Sequence, residues 1–114
     1  MSMLKSFRDA WNGIALAVRT QRNVKVQLVV AGLITAAGFY FSISYIEWCL
    51  AILAMGLVLG LEIMNTSLEE LVNFVSPERR DEARRIKDLA AGAVLIAAMA
   101  AAGVGVLILS SKLF

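Results

Sequence analysis

Three long runs without a charged residue decide most of what this chain can become. They cover residues 26–46, residues 48–61 with a more polar continuation to 75, and residues 89–109. A helix needs about 20 residues to cross the hydrocarbon layer of a bilayer, and the three runs meet that length. Hydrocarbon offers backbone amides no partner, so only helices and closed barrels span it, and unbroken runs of this length point to helices. Composition agrees: 60% of the 114 residues are hydrophobic, against about 45–50% in ordinary soluble domains. The expected fold is all-α and integral to a membrane, a single domain over residues 1–114.

The spans expected are 26–46, 48–75 and a third reached through a short charged helix, 77–109 in all. In this reading Ser76 is an N-cap, Pro77 a first helical residue and Glu78 an acid suited to the helix dipole. Ahead of the first span, Leu4, Phe7, Trp11, Ile14 and Val18 recur at steps of three and four, with Lys5, Arg8, Asp9 and Asn12 between them. That pattern predicts an amphipathic interfacial helix within residues 1–23, with 20–27 a polar joint behind it. The first apolar run begins behind this basic stretch without a small-residue cleavage pattern, and reads as a retained span.

Charge placement sets the expected orientation. Lys5, Arg8, Arg19, Arg22 and Lys25 precede the first span; Arg79, Arg80, Arg84, Arg85 and Lys87 separate the second and third; only Lys112 follows. The positive-inside rule then puts the N-terminus and second loop in the cytoplasm, with the chain in the cell's inner membrane. Phe39, Tyr40, Phe41, Tyr45 and Trp48 form an aromatic belt for the opposite interface. Cys49 has no intrachain partner, and there is no His, so any base or metal ligand is a carboxylate, an amide or backbone.

Residues 61–75, LEIMNTSLEELVNFV, break the apolar pattern. Glu62, Asn65, Glu69 and Asn73 are three, four and four apart, which places them within roughly 80° on one helix face. Thr66 lies on the same side. Ionisable groups at membrane depth mark function by default. Glu62 falls just inside the boundary and Glu69 just outside, about 10.5 Å along the axis. One carboxylate thus meets the polar end of a lipid while the other faces water-soluble ligands. Three uses fit such a stripe: membrane catalysis, a proton or cation path, and hydrogen-bonded glue between helices.

The chain resembles the small bacterial integral-membrane lipid kinases, the prokaryotic diacylglycerol kinase and undecaprenol kinase family. The matching blocks are KSF at 5–7, TQRN at 20–23, IEW at 46–48, LEIMNTSLEELVN at 61–73 and KDLAAGAV at 87–94. TQRN, IEW and KDLAAGAV are closer to the undecaprenol kinase branch. The resemblance implies a homotrimer with active sites shared between subunits, ATP as co-substrate, Mg²⁺, a membrane lipid alcohol as acceptor, and no nucleic acid. It implies Glu62 as catalytic base, Asn65 as its supporting amide and Glu69 as a metal-holding carboxylate. It implies nucleotide contacts for Glu69, Glu78, Arg79, Arg80, Lys87 and Asp88, with Arg22, Asn23 and Asn73 in support. Two other roles remain: a catalytically silent relative kept as a membrane structural protein, and a small transporter subunit.

Three positions depart from the family pattern. Gln21 stands where a second metal-binding Glu is usual, Asn73 where Asp is usual, and Gln27 where the undecaprenol kinase branch often has His. An amide oxygen still ligates Mg²⁺, but without the negative charge. Gln21→Glu is therefore expected to lower the Mg²⁺ concentration for half-maximal activity; an unchanged requirement in a Mg²⁺ titration argues against a weakened metal site.

Overall fold

The computed structural model describes residues 2–78 and 80–114. Four helices follow one another: α1 (Met3–Thr20), α2 (Arg22–Tyr40), α3 (Tyr45–Val75) and α4 (Asp81–Leu113). The last three are each long and apolar enough to cross a membrane. α3 packs against α4 along the bundle and against α2 on its other side, while α1 touches α2 and α3. Its thinnest dimension is 21 Å, about two helix diameters. Most large apolar side chains stay exposed, including Leu4, Phe7 and Trp11 on α1. Those faces suit lipid or neighbouring protein, not water.

Each helix stops for a local reason. α1 yields to α2 at Gln21 alone, whose backbone is extended; the polar joint expected over 20–27 is thus one residue, and Arg22–Gln27 are helical. α2 ends at Tyr40, six residues before the expected 46. Ile43 N–H donates to the Gly38 carbonyl (3.1 Å) and Ser42 N–H to that of Phe39 (3.3 Å), a Schellman closure. Ser42 occupies its left-handed position, with φ 51°. Ser44 then caps α3: its hydroxyl accepts from Glu47 N–H (3.2 Å) and Glu47 accepts from Ser44 N–H (2.8 Å). This capping box, spelled S-x-x-E, starts α3 three residues before Trp48.

The charged loop also differs from expectation. Ser76 N–H donates to the Val72 carbonyl at 2.8 Å, so Ser76 closes α3 and is not an N-cap. Pro77, lacking an N–H, follows the stop. The charged helix expected ahead of the third span is continuous with it and begins at Asp81 instead of Pro77. α4 starts at Asp81, with Asp81 and Glu82 in its first turn, where the dipole favours acids, and runs unbroken to Leu113.

Two polar ties fix α4 against α3. At the hairpin end, Lys112 Nζ lies 3.0 Å from Glu47 Oε1, and Ser111 Oγ donates to Glu47 Oε2 (3.4 Å). At the charged end, Lys87 Nζ donates to Asn73 Oδ1 (2.6 Å). Across the hairpin, Gly38 lets α2 approach Trp48: a Cβ there falls 2.6 Å from the indole Cη2. Gly38→Ala is expected to destabilise the bundle by about 1–3 kcal/mol, as overpacking does. Unfolding in mixed micelles checks this, and an unchanged midpoint contradicts the close approach.

Candidate functional site

The polar stripe lies on the inner face of α3. Glu62 and Asn65 are its two buried members, 5% and 9% exposed; Glu69 and Asn73, further along, are exposed. What surrounds Glu62 follows from the helix registers. Gly38 meets Trp48, while Ala31 and Gln27 share a groove with Met55 and Leu59. Continued one further turn, this antiparallel register brings Val24 level with Glu62, and Gln21 level with Asn65. On the other flank, the Glu47–Lys112 and Asn73–Lys87 ties set Ala97 level with Glu62. Val24 and Ala97 are 1% and 4% exposed, as a tight fit around the carboxylate requires.

Glu62 is therefore a largely buried residue on a level with two apolar ones, Val24 and Ala97. Among the described residues its side chain accepts no hydrogen bond; the Thr66 hydroxyl goes to the Glu62 backbone carbonyl at 3.2 Å. Among the described residues only Asn65 Oδ1 is a fully buried side-chain nitrogen or oxygen without a partner, so the Glu62 carboxylate keeps an opening to its surroundings.

Asn65 is half satisfied. Its Nδ2 donates to Glu69 Oε1 at 3.1 Å, while its buried Oδ1 has no partner. The reverse amide orientation places two oxygens face to face, so the donor must point at Glu69. The free acceptor therefore stays in the buried part of the stripe.

Beyond Glu69 the stripe opens into a cleft of about 490 Å³ between the end of α3 and the start of α4. Asn73, Glu78, Arg80, Lys87 and Asp88 line it. Lys87 reaches the far end of the stripe, at Asn73. A neutral amide orients the ammonium without cancelling its charge, in a cleft whose three basic side chains are matched by the carboxylates of Glu78, Asp81 and Asp88. Arg80 pairs with Glu78 at 3.3 Å, both largely exposed, an arrangement that adds little stability and is readily exchanged. Arg79 lies outside the described residues. Gln21 is half-buried at the α1–α2 break, and Arg22 and Asn23 are exposed in the first turn of α2.

Arg84 and Asp81 also line the cleft and were not among the sequence candidates. Arg84 stands one turn before Lys87 and Asp88 on the same helix, a spacing that selects it once α4 is known to start at Asp81. Val24 and Ala97 carry no such signal, since nothing distinguishes them from other apolar residues.

The sequence profile of the prokaryotic diacylglycerol kinases matches residues 8–109. The chain belongs to that family. It is 36% identical to an undecaprenol kinase of Bacillus subtilis, over 96% of this chain and 89% of that protein. It is 38% identical to a diacylglycerol kinase of Synechocystis, over 91% of this chain and 60% of that protein. A diacylglycerol kinase of Haemophilus influenzae is 25% identical over 83% of this chain and 80% of its own length. By family, then, the chain is a membrane-embedded lipid kinase.

A resident cation has oxygen donors to meet. The described residues hold no cluster of three or more acidic, His or Cys side chains. Mg²⁺ does not need one, because it is commonly held by one or two carboxylates with waters and substrate phosphates. Glu69, exposed and oriented by Asn65, fits that donor set; the Gln21 amide donates to Thr20 at 3.4 Å, which leaves its oxygen free.

Asn65→Leu removes a buried acceptor that has no partner, and Glu69 regains its lost bond from water. The variant is expected to unfold no more readily than the parent, within about 1 kcal/mol or on the stable side, while losing function. A large drop in the unfolding midpoint contradicts the unsatisfied acceptor.

Proposed function

We propose that this protein is an ATP- and Mg²⁺-dependent kinase of the inner membrane that phosphorylates a lipid alcohol, undecaprenol or diacylglycerol. The observation that carries the reading is the gradient along one face of α3. Glu62, buried and without a side-chain partner among the described residues, is followed within a turn by a buried amide with a free acceptor, then an exposed carboxylate, then a cleft lined by Arg80, Arg84 and Lys87 together with Glu78, Asp81 and Asp88. Lipid enters at the first of these and nucleotide at the last.

In this reading the lipid hydroxyl meets Glu62 and Asn65 Oδ1 at the membrane edge. Glu62 takes the hydroxyl proton as the oxygen bonds to the γ-phosphorus of ATP; the bond from that phosphorus to the β–γ bridging oxygen breaks, and ADP leaves. Lys87, held by Asn73, neutralises phosphate charge, with Arg79, Arg80, Glu78 and Asp88 around the nucleotide and Arg22 and Asn23 nearby in support. Mg²⁺, when bound at Glu69 with help from Gln21, supplies further neutralisation of phosphate oxygens. Phosphoryl transfer asks little more of a protein than this positioning and charge balance. The thin bundle and its uncovered apolar faces support assembly into a homotrimer with shared sites, and the ten cytoplasm-facing cations of eleven support an orientation with the cleft in the cytoplasm. The exposed apolar stripe of α1 suits the inner interface.

Gln21 and Asn73 favour one second reading, a silent relative that retains the fold. Purified chain, given γ-labelled ATP, Mg²⁺ and both lipid alcohols, separates the two. Transfer of label to lipid, reduced about 100-fold or more by Glu62→Gln, is the expected result. Absence of labelled lipid with intact nucleotide binding supports the silent relative, and ion flux in liposomes without ATP consumption supports a transporter.

A further inference from the structure

The amide of Asn73 has a fixed orientation. Its partner, the Lys87 ammonium, can only donate, so the atom 2.6 Å from it is Oδ1 and Nδ2 lies on the other side. Asn73 is exposed and Lys87 half-buried, and both line the cleft between the end of α3 and the start of α4. The ion pairs among the described residues are Arg80–Glu78 and Lys112–Glu47, so no carboxylate there pairs with Lys87. Its bond to Asn73 uses one of the ammonium's three donors. Among the same residues the Asn73 Nδ2 donates to nothing. Amide and ammonium donors thus stand side by side in an open cleft, held together by one hydrogen bond and otherwise unspent.

The charges around this pair make it decisive. Arg80, Arg84 and Lys87 in the lining are matched by Glu78, Asp81 and Asp88, so the cleft has no surplus of positive charge to draw an anion in. What it offers instead is donors in a set position. A carboxylate at position 73 still holds Lys87, but it cancels the ammonium's charge and replaces the amide donors with acceptors. It also leaves the lining with four acids against three bases. We propose that Asn73 is a phosphate-binding residue: Oδ1 fixes the Lys87 ammonium, and Nδ2 and that ammonium donate together to oxygens of one phosphate group of the nucleotide. The assignment rests on the kinase reading above and deepens it. Hydrogen bonds from an ammonium to phosphate are of the stronger, charge-assisted kind, and the neutral amide leaves that charge intact. The amide at position 73 is then a working part of the nucleotide site, whereas the silent-relative reading treats it as a lost charge.

The deciding variant is Asn73→Asp, which keeps the shape of the side chain and its hold on Lys87. ATP and inorganic tripolyphosphate are titrated onto the purified chain in EDTA, where no cation can bridge the new carboxylate to phosphate. A dissociation constant read this way is insensitive to the folded fraction, so partial misfolding does not mimic the result. Asn73→Asp is expected to weaken both ligands by about tenfold or more, with an unfolding midpoint no lower than the parent's. Asn73→Gln, which keeps the amide, is expected to bind both within about threefold of the parent. Binding that depends on Asn73 in this way, with no label passed from ATP to either lipid alcohol when Mg²⁺ is supplied, overturns the kinase reading and leaves the phosphate site standing. Label transfer by a chain whose affinities are unchanged or improved by Asn73→Asp, or fall equally in both variants, overturns the proposal and leaves the kinase reading. Absence of saturable binding of either ligand by the wild type overturns the proposal as well.

Discussion

The placement of α4 against α3 is decided at two points: Lys112 on Glu47 at the hairpin end and Lys87 on Asn73 at the charged end. Between them the facing surfaces are rich in Ala and Gly, with Ala51 and Ala97 among the buried residues. Small residues let helices approach closely, but they raise only low ridges, so shape alone sets the sliding register weakly. The two ties are about 39 Å apart along α3 and about 38 Å apart along α4, nearly the same span of helix. They bind the pair at both edges of the hydrocarbon layer, where polar bonds are compatible with the surroundings. Buried or half-buried polar contacts are best attested as devices that fix register, and both ties fit that use.

That register determines the character of the stripe. It sets Ala97 beside Glu62, and the α2 hairpin sets Val24 on the other flank. A shift by one residue turns a different helix face toward the carboxylate. The same register brings Lys87 to Asn73, two turns beyond Asn65 on α3. The buried acid and the charged cleft are therefore not independent features. They are two ends of one helix pair whose alignment is held outside the membrane core.

Much of this was readable from the chain, and the misses have physical causes. Apolar run length disclosed three spans, because hydrocarbon thickness and helical rise leave little freedom. The three-and-four spacing of Glu62, Asn65, Glu69 and Asn73 disclosed the stripe, because a helix maps spacing onto a face. Helix ends were read less well. Ser76-Pro77-Glu78 has the composition of a helix start, yet Ser76 continues the hydrogen-bonding of α3, and Asp81 makes the better beginning. Ser44 and Glu47 do spell a capping box, but Glu47 also reads as the boundary of an apolar run, which masked it. Burial of Glu62 was foreseeable in depth alone. Its apolar neighbours were not, since Val24 and Ala97 are conspicuous only after two helix registers are known. Which member of the stripe Lys87 meets likewise depends on where α4 begins.

The open side of the bundle follows from the same economy of contacts. A chain with only seven buried apolar residues among those described is not held together as a soluble domain is. In lipid, apolar surface gains nothing by leaving hydrocarbon for protein, so helices need not close around one another. The gap between α2 and α4 is then no packing failure: acyl chains fill it as well as side chains do. A polar residue in that wall is different, because lipid tails cannot satisfy it. Gln27 is the one such residue in the lining, and its amide, unlike Asn65 Oδ1, is not a fully buried group without a partner.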